Sequence, residues 1–125
     1  MRHLLPSLAL AGLLFVVAAC TENDTKSEAG AVKVSSTDDA CELSSAEAPS
    51  GNVLFEVTND GSQATEFYVL AEDGKRIVGE VENIGPGLSR NLVIQAEPGN
   101  FFTACKPGMV GNGIRSSFTV TDAGK

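Results

Sequence analysis

Histidine and tryptophan are the scarcest chemically useful residues of this chain. Its 125 residues include no Trp and one His, His3. His3 lies in an N-terminal segment that we expect to be removed, so the mature chain has no imidazole. A Ser-His-Asp triad, a Cys-His protease pair, a His-containing zinc site and a His-ligated haem are therefore excluded. We predict a protein that binds and does not catalyse.

A hydrophobic run long enough to anchor the chain in a membrane is also lacking. The apolar stretch over 8–19 follows a charged start and is shorter than the about 20 residues that a spanning helix needs. This pattern is typical of an export signal. Because Val17-Ala18-Ala19 precedes Cys20 as in a lipoprotein signal-peptidase site, we predict a leader over 1–19 and a lipidated Cys20. An ordinary signal peptide with a chance cysteine is the alternative.

Positive charge is scarce as well. The chain has 9 Lys and Arg against 16 Asp and Glu, and losing Arg2 with the leader changes the net charge from −7 to −8. Such a surface is a poor match for nucleic acid, whose binding requires neutralised phosphates. We therefore expect no nucleic-acid partner. The predicted location is the extracytoplasmic face of a bacterial cell membrane, with membrane lipid attached through Cys20.

No stretch has a sustained helical period, and 13 glycines suit turns better than helices. The polar segment 20–30 is predicted to be a disordered tether, 31–121 a single domain and 122–125 a tail. Short alternating runs between turn signals predict an antiparallel β-sandwich. These runs are 53–58, 66–70, 77–81, 88–95, 101–105 and 117–121, with Val32 and Val34 alternating before them.

Two local patterns, over 59–70 and 98–109, resemble the cupredoxin fold, an all-β Greek-key sandwich. In that family a first His ligand follows an Asn-containing turn, and Cys, His and Met ligands lie between the last two strands. The resemblance places Glu66 where the first His would be, Cys105 at the cysteine and Met109 at the axial methionine. The second His has no counterpart, because the loop reads Lys106-Pro107-Gly108. A type 1 blue-copper site is therefore excluded by composition.

Three segments resemble a narrower family. Residues 39–42 (DACE), 81–89 (VENIGPGLS) and 98–105 look like the N-terminal cupredoxin-like domain of EfeO, an extracytoplasmic component of bacterial iron uptake. The resemblance covers about 31–121. In the family a helical imelysin-like domain with a metal motif usually follows, so we expect a stand-alone accessory module or a truncated relative. An iron permease and a haem peroxidase are the partners that the resemblance implies.

The pairing of Cys41 with Cys105 has two interpretations. A disulfide would close a loop of about 65 residues and stabilise the fold by roughly 4 kcal/mol. Alternatively, two thiolates could bind a soft cation such as copper together with Glu66 and Met109. The two interpretations exclude each other, because a disulfide sulfur is a poor ligand. Glu66 could instead be a strand-end carboxylate in solvent, and Met109 could fill the core.

Two functions from different classes follow from these patterns. One is an accessory metal-binding or interaction module of an EfeO-type iron-uptake system, with copper or iron as the candidate metals. The other is a disulfide-stabilised structural or interaction domain without metal. A ferroxidase or thiol oxidoreductase is disfavoured, because the chain has no Cys-x-x-Cys motif and no mature His. We interpret Glu72, Asp73, Glu80 and Glu82 as a solvated acidic face, with a hard-cation site as the alternative.

Overall fold

A computed structural model describes residues 30–124 as two β-sheets packed face to face. The predicted leader over 1–19, Cys20 and all of the tether except Gly30 lie outside the described residues. The first sheet contains β1 (Val32–Ser36), β2 (Cys41–Leu43), β4 (Gly51–Asn59) and β7 (Ser89–Ala96). The second sheet contains β3 (Glu47–Pro49), β5 (Thr65–Leu70), β6 (Ile77–Ile84), β8 (Gly99–Cys105) and β9 (Ile114–Thr121). The predicted all-β sandwich is confirmed.

The strand orders are β2-β1-β4-β7 and β3-β9-β8-β5-β6. Strands β1 and β4 pair in parallel, and so do β3 and β9, whereas the other pairs are antiparallel. The sandwich is therefore mixed and differs from the antiparallel prediction at these two pairs. Strands β1 and β4 can run in parallel because β2 and β3 separate them along the chain. Each has only three residues, too few for alternation to reveal it in the sequence.

The core forms where the alternating side chains of the two sheets meet. On β4, Val53, Phe55 and Val57 point inward and are almost completely buried, as the period of two predicts. The ring of Phe55 lies 5.3 Å from that of Phe67 and 5.2 Å from that of Phe118, both in the opposite sheet. Burying one such side chain stabilises the fold by about 2 to 3 kcal/mol, so these contacts help to hold the sheets together.

Strand β5 is buried along its whole length, unlike the other strands. It lies between β8 and β6, and its inward residues Phe67 and Val69 join the main core. On the opposite face, Tyr68 and Leu70 form a second apolar cluster with Ala104. The outer face of the second sheet therefore carries a small apolar cluster beside β5, on the side where Glu66 lies.

The turn between β4 and β5 is held by Asn59, which is 1% exposed. Its Nδ2 donates to the carbonyl oxygens of Gln63 at 2.7 Å and Ile84 at 2.8 Å. Its Oδ1 accepts from the amide of Gly61 at 2.9 Å. One side chain thus ties the end of β4 to the turn and to the end of β6, which sets where β5 begins.

The part of the chain that the structure describes contains no helix long and apolar enough to cross a membrane. A single 3-10 turn, Pro107–Met109, follows β8.

Candidate functional site

Glu66 lies at an irregularity of the β5–β6 ladder. Its neighbours Thr65 and Phe67 pair with β6 residues that are three positions apart, so Glu82 and Asn83 both stand opposite Glu66. This two-against-one arrangement is a β-bulge, which bends the strand and changes where its side chains point. Asn83 adopts a positive φ of 55°, a conformation that Asn tolerates better than most residues. The bulge brings the carboxylates of Glu66 and Glu82 to one phenol.

That phenol belongs to Tyr68, two residues after Glu66 on the same face of β5. Its hydroxyl donates to Oε2 of Glu66 at 2.8 Å, and Oε1 of Glu82 lies 3.4 Å from the same oxygen. Glu66 and Tyr68 are each 9% exposed, whereas Glu82 is exposed. The arrangement is a phenol between a buried carboxylate and an exposed one.

Lys106 completes the cluster from the loop after β8. Its Nζ lies 3.6 Å from Oε2 of Glu66 and 4.7 Å from the ring centroid of Tyr68. The backbone amide of Lys106 donates to the carbonyl of Glu66 at 2.8 Å, which fixes the loop beside the strand. A buried carboxylate needs such a counter-charge and hydrogen bonds to offset the loss of water. Glu66, Tyr68, Glu82 and Lys106 are called the phenol–carboxylate cluster below.

The cluster raises the pKa of Tyr68 well above its ordinary value of 10.0. Burial is the largest cause, because it disfavours the charged phenolate. The hydrogen bond to Glu66 and the negative charge of that carboxylate follow, and the charges of Glu80 and Glu82 add to the effect. Tyr68 is therefore a neutral hydrogen-bond donor at neutral pH.

The two cysteines form a disulfide between the sheets. Cys41 belongs to β2 and Cys105 to β8, and their Cα atoms are 5.5 Å apart. The predicted disulfide is present. The alternative, in which both sulfurs are thiolate ligands, is not formed in this arrangement.

The predicted ligand residues do not meet at one point. Cys105 is fully buried in the core between the sheets, whereas Glu66 faces the opposite side of the second sheet. Met109 lies in the 3-10 turn with a positive φ of 55° and is 37% exposed, so it does not fill the core. Among the predicted ligands, Glu66 is the residue that lies next to other oxygen donors, those of Tyr68 and Glu82. The alternative prediction that the Glu66 carboxylate faces solvent is wrong, because Glu66 is buried.

The predicted ligand residues of this chain do not fit the copper centre of a blue-copper protein. The sequence has no His beyond His3, and the sulfur of Cys105 is bonded to that of Cys41. Among residues 30–124, no group of three or more His, Cys, Asp or Glu side chains could hold a metal ion. What remains in the phenol–carboxylate cluster is a set of hard oxygen donors, which suits hard cations and not copper(I).

Sequence reasoning missed Tyr68 and Lys106 as members of the site. The alternation of β5 placed Tyr68 on the face of Glu66, and this signal was available. The position of Lys106 depends on the pairing of β5 with β8, which no local pattern reveals. Asp73 has a structural role instead. Its Oδ1 accepts from the amides of Lys75 and Arg76 in the β5–β6 turn, and these bonds lower its pKa.

Comparison with known proteins agrees with this architecture. The family model described as "Cupredoxin-like domain" matches residues 8–120, so the chain belongs to the cupredoxin-like domain family. It is similar to the iron uptake system component EfeO of Yersinia pestis, with 33% identity over 92 residues, or 74% of this chain and 23% of that protein. The chain thus spans about a quarter of the length of this relative, and the predicted resemblance to EfeO is confirmed.

Two solved structures share the fold. Reduced auracyanin from Roseiflexus castenholzii has a TM-score of 0.59 and 18% identity, covering 74% of this chain and 98% of that one. An azurin from Methylomonas sp. strain J has a TM-score of 0.53 and 12% identity, covering 72% of this chain and 96% of that one. At such identities the likeness establishes the cupredoxin-like fold alone.

Proposed function

We propose that this protein is an accessory module of an EfeO-type iron-uptake system and binds iron transiently at the phenol–carboxylate cluster. The observation that carries the proposal is the position of the Tyr68 hydroxyl between the carboxylates of Glu66 and Glu82. Carboxylate and phenolate oxygens are hard donors, and ferric iron is a hard cation. The similarity to EfeO supports iron as the cargo.

The ion pair of Glu66 with Lys106 suggests how binding would be kept weak. An incoming cation has to displace the Lys106 ammonium, which stands beside Oε2 of Glu66. It also has to release the proton of Tyr68, whose pKa is raised. Both steps cost free energy, so binding should be reversible and should strengthen as the pH rises. Such behaviour suits a module that passes iron on.

The test uses the single tyrosine of the chain. Any phenolate-to-iron charge-transfer band after loading with ferric nitrilotriacetate has to come from Tyr68. We expect Tyr68→Phe to abolish the band and Glu66→Gln to lower the retained iron about tenfold or more. Glu47→Gln removes an exposed carboxylate at the far edge of the sheet and serves as the matched control. No band in the unmodified protein, or unchanged binding in Glu66→Gln, would overturn the proposal.

A disulfide-stabilised interaction domain without metal is the second candidate. Lys106 favours it, because this residue already compensates the charge of Glu66. On this hypothesis the protein retains no iron, and Glu66→Gln changes stability but no binding property. Both candidates predict no turnover, so ferrous iron should oxidise no faster with the protein than in buffer.

The proposal includes a place for the module in the cell. We propose that the lipid on Cys20 holds the domain at the extracytoplasmic face of the membrane, near an iron permease and a haem peroxidase. Mass spectrometry of the mature N-terminus tests the anchor, and a cut elsewhere or an unmodified Cys20 would contradict it. Crosslinking in membranes tests the two partners.

A further inference from the structure

A second feature of the outer face of the second sheet is a pocket of about 300 Å³ beside Lys106. Leu70, Ile77 and Ala104 supply its apolar surface, and Tyr68 of the phenol–carboxylate cluster also lines it. The β5–β6 turn and the loop before β9 supply its walls. The volume is at the lower limit of those that bind small molecules.

The charge around this pocket contrasts with that of the protein. Residues 30–124 contain six Lys and Arg, and three of these line the pocket: Lys75, Lys106 and Arg115. No Asp or Glu lines it. The ammonium of Lys106 is paired with Glu66, and Asp73 lies near Lys75, so Arg115 is the pocket cation without a nearby ion-pair partner among the described residues. Half of the described cations of an acidic protein thus surround one pocket whose surface is partly apolar, which favours an anion with an apolar body.

The guanidinium of Arg115 is held by two hydrogen bonds to backbone carbonyls. Its Nη1 donates to the carbonyl of Gly74 at 2.9 Å, and its Nε donates to the carbonyl of Asn112 at 3.2 Å. A guanidinium has five N–H donors, so these bonds leave others for a ligand. A guanidinium fixed by two bonds loses little conformational entropy on pairing with a carboxylate, and its planar fork matches the two carboxylate oxygens.

We propose that this pocket binds a small organic anion that joins an apolar body to one or two carboxylates. The carboxylates pair with Arg115 and Lys75, and the apolar body packs on Leu70 and Ile77. This ligand class follows from the combination of a fixed guanidinium, an apolar surface and a small volume. The proposal goes beyond iron binding and does not require it.

Phenylsuccinate is the test probe, because it carries two carboxylates on a short aliphatic chain and one phenyl ring on the same chain. The full-length folded protein, treated with a chelator to remove metal, is titrated and followed by amide NMR. We expect saturable shifts at Gly74, Lys75 and Asn112. Arg115→Gln should weaken binding about tenfold, as for loss of one charged hydrogen-bonding partner. Arg90→Gln removes the same charge from the first sheet and should change affinity less than about twofold. Lys75→Gln is a second variant at the pocket.

Several outcomes would overturn the proposal. Absence of saturable shifts at the pocket is one, and equal weakening by Arg90→Gln is another, since it would indicate a nonspecific charge effect. Succinate lacks the ring, so equally tight binding of succinate would show that the apolar surface has no role. Tighter binding of a hexaglutamate peptide would assign the pocket to an extended polyanion. Because no iron is present, these results are independent of the phenolate band that tests the proposed function.

Discussion

Removing the disulfide should destabilise the protein strongly, and the structure allows the effect to be estimated. Cys41 and Cys105 are 64 positions apart, so their bond closes a loop of about 65 residues. The chain-entropy estimate for a loop of that size is about 4 kcal/mol. Cys105 is also fully buried, and its replacement by Ala adds about 1 kcal/mol for the lost packing. The double variant Cys41→Ala, Cys105→Ala should therefore lose about 5 kcal/mol.

Such a loss is a large part of the 5 to 15 kcal/mol that stabilises an ordinary domain. Urea unfolding, followed by circular dichroism because the chain has no Trp, measures it. The unmodified protein under reducing conditions is the control, since it keeps both sulfurs and loses only the bond. A double variant within 1 kcal/mol of the oxidised protein would refute the reasoning. So would reduced and oxidised forms that unfold at the same urea concentration.

Three further predictions concern single side chains. Because its pKa is raised, Tyr68 should ionise above the ordinary value of 10.0 in an ultraviolet titration, and Glu66→Gln should lower that pKa only partly, since burial remains. The raised pKa of Tyr68 contributes stability that is fully present below pH 10.0 and is lost as the pH rises through the folded-state pKa. The free energy of unfolding should therefore fall as the pH rises above 10.0. Asn59→Ala, which removes three hydrogen bonds, should cost about 3 kcal/mol in urea unfolding, and a cost below 1 kcal/mol would contradict the role of the turn. The hydroxyl of Thr103 is buried without a partner among residues 30–124, so Thr103→Val should stabilise the protein by about 1 kcal/mol, and destabilisation would contradict the missing partner.

The longer strands could be predicted because each carries its own local pattern. In β4, branched and aromatic residues alternate with polar ones, so Val53, Phe55 and Val57 define an inward face without reference to any other strand. The turn at Asn59 is likewise encoded by its own residues. Strands β2 and β3 could not be predicted, because they have three residues each and depend on pairing with β1 and β9.

The candidate site, like the strands, could be predicted from the sequence only in part. The sequence by itself determined that the chain, with His3 as its single histidine, lacks the two imidazoles of a blue-copper centre, and the alternation along β5 puts Glu66 and Tyr68 on one face. Only the tertiary structure decided that Cys41 and Cys105 are joined, that Lys106 lies against Glu66, and that a bulge brings Glu82 to the same phenol. The physical reason is that alternation along a strand is a local property of the backbone. Which strands become neighbours depends on burial and pairing over the whole domain.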